Sequence, residues 1–101
     1  MIRRLLYSPE AVAQLEALEK HVLDRAGPAV AGAYLDRLLA FCDEIAVEPV
    51  VGRRRDDLLP GLMTRTFERR RVICFLELEG GDIHVLAVFG GSEDWERRLS
   101  R

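Results

Sequence analysis

Arg69-Arg70-Arg71, preceded by Glu68 and by Arg65 on the same segment, are the residues of this chain best equipped for chemistry. Guanidinium groups at that density suit a phosphate or a carboxylate, because each offers a planar fork of N–H donors for bidentate bonds. Cutting a phosphodiester through its own 2′-hydroxyl would need more. A proton acceptor and a donor with shifted pKa must stand beside the cations. Glu68 is the one evident base in the segment. Tyr7 and Tyr34 fall in patterns that read as core, His84 lies within an apolar run, and His21 is far away along the chain. With no His or Tyr beside the basic run in sequence, the segment is equipped for binding, and no catalytic residue is assigned.

The charge distribution points the same way. Residues 51–75 hold seven Arg against Asp56, Asp57 and Glu68, a net of +4, while the chain as a whole carries −2. Such asymmetry suggests a surface for an anionic or carboxylate-rich partner. Arg53-Arg54-Arg55 runs directly into Asp56-Asp57, so it reads either as a solvated, self-neutralising loop or as the basic border of a partner groove. Cys42 and Cys74 sit in apolar patterns with no second ligand at metal spacing, which predicts free buried thiols, no metal, no cofactor and a reducing cytoplasm. No window approaches the roughly 18 apolar residues of a membrane span, and the opening MIRRLLYSPE does not read as a signal peptide.

These residues must be positioned by a small set of elements. Ile2–Tyr7 predicts a short strand. Ser8 then offers an N-cap, with Pro9 at the first helical position and Glu10 at the positive end of the dipole. Ala11, Leu15, Leu18 and Val22 make one helical stripe, which Gly27-Pro28 ends. A second helix runs to about Val47 and stops at Glu48-Pro49. Its stripe (Tyr34, Leu38, Phe41, Cys42 and Ile45) is widened by Leu35, Leu39 and Ala46. A stripe that wide either packs on two neighbours or leaves an apolar strip for another chain. Three strands follow, at Leu62–Phe67, Val72–Leu78 and Ile83–Phe89, the last two joined across Glu79-Gly80-Gly81-Asp82. Both of those strands are nearly continuous in apolar residues, as central strands are. Ser92 is placed to cap a short tail helix carrying Trp95 and Leu99. The expected architecture is one α+β domain over residues 1–101, ordered β-α-α-β-β-β, with a helical hairpin on a mostly antiparallel sheet.

In this order the chain resembles the RelE/ParE superfamily, the toxin halves of bacterial type II toxin-antitoxin pairs. The resemblance rests on Ser8-Pro9-Glu10-Ala11, Glu48-Pro49-Val50-Val51-Gly52-Arg53, Asp57-Leu58-Leu59-Pro60-Gly61-Leu62 and the closing Val88-Phe89-Gly90-Gly91-Ser92-Glu93-Asp94. It implies one of two activities. RelE-like members are ribosome-dependent mRNA endoribonucleases, and ParE-like members poison DNA gyrase by binding. In the ribonuclease branch a titratable group, often His or Tyr, commonly follows the last strand. Here that place is Gly90-Gly91, with no titratable side chain before Glu93, which favours the ParE-like branch. Met63 stands where the family often has Arg, and Arg65 shares its strand face two residues on.

The resemblance implies a cognate antitoxin, ParD-like or similar, and gyrase as target, with nucleic acid reached only through the antitoxin complex. Arg65, Arg69, Arg70, Arg71, Trp95, Arg97 and Arg98 are the expected target-binding residues, and Leu35, Leu39, Arg53, Arg54 and Arg55 the expected antitoxin-binding ones. Each has a plainer reading beside it. On a strand, Arg70 points away from Arg69 and Arg71, and such arginines also guard a sheet edge. Trp95 reads equally as the residue that pins the tail, and Gly90-Gly91 as a turn. A ribonuclease, or a member that only binds its antitoxin, stays open as the alternative.

Overall fold

The computed structural model describes residues 3–48, 51–91 and 93–99. Ile2, Pro49 and Ser92, to which the sequence assigns a strand start, a helix stop and a cap, lie outside them. Strand β1 (Leu5–Tyr7) leads through Ser8 into helix α1 (Pro9–Ala26). Ser8 is extended at φ −69° and ψ 159°, and its side chain accepts the Ala11 N–H, so the predicted cap forms. Gly27 is both the end of α1 and the cap of α2 (Pro28–Val47), and at φ 87° it occupies backbone space that favours glycine.

The sheet has five strands in the order β1-β5-β4-β3-β2. Strands β3 (Met63–Phe67), β4 (Arg71–Glu77) and β5 (Ile83–Gly90) form an antiparallel meander. Strand β1 joins β5 in parallel, with Leu5 opposite Ile83, and β2 (Arg53–Arg54) adds an antiparallel edge against Thr64 and Met63. The sequence reads residues 53–54 as loop. Two exposed arginines carry no hydropathy pattern, and their pairing comes from β3. A short helix, α3 (Trp95–Leu99), ends the described chain.

Both faces of the sheet are covered. The helical hairpin lies on one, where Ala11, Leu18, Leu38, Cys42 and Ile45 meet Phe67, Ile73, Phe75, Ile83, Val85 and Val88. On the other, Val72, Cys74, Ala87, Phe89 and Leu62 pack beneath Leu58, Leu59, Trp95 and Leu99. This two-sided burial is why β4 and β5 read as continuous apolar runs. Pairing steps from Cys74↔Ala87 to Phe75↔Val85, so Leu86 is one residue extra on β5. The bulge lets Val85 and Val88 face the same core although three positions separate them. Its backbone groups are met by α1: Ser8 Oγ donates to the Leu86 carbonyl at 2.6 Å, and Val88 N–H donates to Gln14 Oε1 at 2.6 Å.

Candidate functional site

The basic triplet forms a hairpin tip. Strand pairing stops at Phe67↔Arg71, and Arg70 N–H closes the turn onto the Phe67 carbonyl at 3.0 Å. Arg69 and Arg70 therefore lie in the turn, and only Arg71 begins β4, so the alternating strand pattern expected for the three does not apply. Glu68 at φ 49° and Arg69 at φ 62° occupy left-handed space, where a non-glycine residue costs about 1–2 kcal/mol. No Gly or Asn advertises this turn in the sequence. Arg37 on α2 braces the tip, its Nε 2.9 Å from Glu68 Oε2. Glu68 is thereby paired with α2, and no ion pair joins it to its three arginine neighbours among the described residues.

Beside the tip, Arg69, Arg70, Arg71, Gly90 and Gly91 border a hollow of about 320 Å³. A second hollow, of about 310 Å³, lies on the helical side and brings Gln14, His21, Arg71, Glu93 and Arg98 together. Arg71 serves both, with its Nε 3.4 Å from the Tyr34 hydroxyl. These contacts correct the expectation that no Tyr or His approaches the basic strand. Packing of the helical hairpin delivers a phenol and an imidazole that chain order keeps apart. His21 follows Gln14 and Leu18 at helical spacing, and that spacing was the available signal.

Of the remaining predicted target residues, Arg98 shares the second hollow with Arg71, whereas Arg65 and Trp95 lie elsewhere. Arg65 lies on the helical side at the far edge, its guanidinium 4.6 Å from the Phe41 ring centroid. Met63 and Arg65 share a face there, both within contact of the space beside Gly52. Trp95 stacks on Phe89 at 6.5 Å beneath the opposite face. Arg98 bridges Glu93 at 2.9 Å and Glu10 at 3.2 Å, and Glu93 also accepts the Gly90 N–H at 3.1 Å. Arg97 is exposed and stands 3.9 Å from Asp94.

The predicted antitoxin residues separate likewise. Arg54 pairs with Asp56 and Arg55 with Asp57, each through two bonds of 2.8–3.1 Å. Arg54, with help from the Gly61 N–H, holds the Asp56 carboxyl below its usual range, and Arg55 does the same for Asp57. Arg55 is also drawn over Trp95 at 5.5 Å and onto Glu96 at 2.6 Å, so it clamps the tail helix. Arg53 stays exposed on β2. Leu35 is half-buried against the core, whereas Leu39 is exposed, and Val47 at 77% and Val51 at 45% are more so. Val47 and Val51 line a hollow of about 290 Å³ with Glu44, Glu48 and Arg65.

Among the described residues, no group of three or more His, Cys, Asp or Glu could hold a metal ion, and no helix is long and apolar enough to cross a membrane. Both cysteines are buried and free. Burial pushes the Cys42 thiol up to about 11 and the Cys74 thiol to about 12, so neither is a nucleophile near neutral pH.

Residues 5–95 match the family described as ParE toxin of type II toxin-antitoxin system, parDE. Toxin ParE1 of Mycobacterium tuberculosis is 34% identical over 100 residues, covering 98% of this chain and all of the relative. Toxin ParE3 of Caulobacter vibrioides is 28% identical over 98 residues, covering 97% and 96%. A solved structure titled "Chromosomal ParDE TA system from P. aeruginosa" superposes with a TM-score of 0.74 at 23% identity, covering 88% of this chain and 96% of that one. This likeness speaks for the fold.

Proposed function

The chain belongs to the ParE toxin family of type II toxin-antitoxin systems, and from that membership we propose that it inhibits DNA gyrase by binding and is silenced by a ParD-like antitoxin. One observation carries the binding mode. Arg69 and Arg70 are exposed at a braced hairpin tip and Arg71 is half-buried where β4 begins, all three without a carboxylate partner among the described residues. Several other arginines are tied to acids, as at Arg4–Asp82, Arg54–Asp56 and Arg98–Glu93. Cations left unpaired at a strained tip are suited to meet carboxylates on a partner surface. Arg97 is exposed on the tail helix and is taken as a separate contact, while Trp95 packs on Phe89 and Arg98 lines the second hollow with Arg71.

The antitoxin reading rests on Val47 and Val51. An apolar segment seated against them would bury area at about 25 cal/mol per Å², with Arg65 at the border to pair with an acidic side chain. Leu39 continues the exposed apolar strip of α2, and Arg53 is the member of its triplet left to reach a partner. The cytoplasm, where gyrase works and thiols stay reduced, is the compartment this reading requires.

The interferase alternative draws on a separate observation, the convergence of Tyr34, His21 and Glu93 on Arg71. Expression of the chain alone should arrest growth, and co-expression of the neighbouring gene's product should restore it and co-purify with it. Primer extension on translated mRNA should show no new ends. Cuts at the ribosome that vanish in His21→Ala or Tyr34→Phe would transfer the function to RNA cleavage. A harmless chain that still captures the neighbour's product would leave only antitoxin binding.

A further inference from the structure

Gly90 is glycine for a reason its own backbone does not supply. It ends β5 without a positive φ, so other residues could adopt its conformation. A Cβ placed on it would, however, stand 2.9 Å from Arg71 Nη1. The missing side chain is what lets the Arg71 guanidinium occupy its position. Gly91 follows the same logic. Its N–H donates to the Arg70 carbonyl at 2.6 Å, and a Cβ there would meet that carbonyl oxygen at 3.1 Å. Two glycines thus leave room beside the arginine hairpin, Gly90 for the Arg71 guanidinium next to the Glu93 side chain and Gly91 for the Arg70 backbone.

The nearest acids are engaged elsewhere. Glu68 is held by Arg37, and Glu93 by Arg98 and the Gly90 N–H. Among the described residues, the hollow of about 320 Å³ is lined by three arginines that form no ion pair, and the carboxylate at its floor, Glu93, whose Oε1 lies 3.3 Å from the Cβ position of Gly90, is engaged by Arg98 and the Gly90 N–H. A carboxylate has about four acceptor positions on two oxygens, whereas each guanidinium brings five donors. Three arginines lining one hollow bring more donors than a single carboxylate accepts, which suits a tetrahedral anion of higher charge better. The volume lies at the lower end of small-ligand sites, enough for a phosphate and part of the group that bears it.

We propose that Arg69, Arg70 and Arg71 beside Gly90-Gly91 form a binding site for a phosphate group. The inference deepens the reading of this tip as the target-contacting surface and rests on it for biological meaning, because a topoisomerase engaged on DNA presents phosphates beside protein. A duplex bound there would be contacted directly, where the resemblance implies that nucleic acid is reached only through an antitoxin. The phosphate can belong to a free anion or to a nucleic-acid backbone, and the two differ in how binding responds to size and salt.

The test is a titration of the folded chain, followed by the Gly90 and Gly91 amide resonances and the arginine Nε–H signals, first with inorganic phosphate and then with a short DNA duplex. Saturable shifts confined to these groups are expected with phosphate. Tighter binding of the duplex, with log K falling by about 0.9 per phosphate neutralised for each tenfold rise in salt, assigns the site to a nucleic-acid backbone. Binding of phosphate without the duplex assigns it to a free anion. Gly90→Ala should weaken binding about tenfold by displacing Arg71, with an unchanged melting temperature, since one charge-assisted contact is worth roughly that factor. Arg70→Gln provides a second loss that leaves both glycines intact. Unmoved glycine amides at millimolar phosphate, or equal binding by both variants and the parent, would overturn the site. So would displacement of phosphate by a poly-glutamate peptide at lower concentration. A parent chain that inhibits gyrase but binds no phosphate sinks this inference alone, and one that binds phosphate but does not inhibit gyrase sinks only the gyrase reading.

Discussion

Ser8 and Leu86, far apart in sequence, are joined by a hydrogen bond of 2.6 Å from the Ser8 hydroxyl to the Leu86 carbonyl. The same oxygen accepts the Ala11 N–H at 3.0 Å, so one hydroxyl caps α1 and satisfies the bulge of β5. Ser8→Ala removes both bonds and should lower stability by about 2 kcal/mol, read from urea unfolding. Ser8→Asp keeps an acceptor for the cap but cannot donate to Leu86, and it should recover only part of the loss. Full recovery by Asp would show that the bulge contact contributes nothing.

Arg69 sits at φ 62°, where glycine is comfortable and arginine is not. Arg69→Gly should raise stability by up to about 1 kcal/mol while weakening target binding, the pattern of strain retained for function. Thermal unfolding and growth arrest, measured on the same variant, check the two halves. A stabilised variant of undiminished toxicity would remove Arg69 from the surface.

Trp95 and Arg97 separate packing from recognition in the tail. Trp95 stacks on Phe89 and lies beneath Arg55, so Trp95→Ala should cost about 2 kcal/mol of stability. Arg97→Glu changes an exposed side chain and should leave the melting temperature nearly unchanged while reducing target inhibition. Reversal of these outcomes, with Trp95→Ala fully stable and Arg97→Glu fully active, would exchange the two roles.

Burial sets the pH behaviour of the thiols. The folded values of about 11 for Cys42 and about 12 for Cys74 lie above the unfolded value of about 8.5. Between these limits the folded chain keeps protons that the unfolded chain has lost. Their contribution to stability is therefore complete below about pH 8.5 and declines as pH rises toward 11. Denaturant midpoints across that window should fall, and Cys74→Ala should flatten part of the decline. Thiol labelling at pH 8 should be slow in the native chain and fast in denaturant.

The helices are legible in the sequence because their ends are marked chemically. Ser8-Pro9 and Gly27-Pro28 set the boundaries of α1 and the start of α2. The strands are legible as apolar runs, although the bulge at Leu86 is not. A single inserted residue among continuous apolar positions leaves no break in the pattern. Strand β2 is hidden for the opposite reason, having no apolar residue. At the candidate site, the arginine cluster is visible in composition, but its geometry is not. The left-handed tip at Glu68-Arg69 uses neither Gly nor Asn. Helical spacing puts His21 on one face with Gln14 and Leu18, but the meeting of that face and of Tyr34 with Arg71 depends on how two helices lie across a sheet.

The central claim is that this chain stops gyrase by binding, and a supercoiling assay with purified components tests it most directly. Relaxed plasmid, gyrase and ATP are combined with increasing amounts of the chain, with and without its antitoxin. Inhibition should rise with dose, disappear when antitoxin is added, and weaken strongly for Arg70→Glu, whose reversed charge meets the partner's carboxylates or phosphates. Arg54→Glu, at a locally paired site, should inhibit like the parent. Undiminished supercoiling at every dose, from a preparation that arrests growth and cleaves ribosome-bound mRNA, would contradict the account.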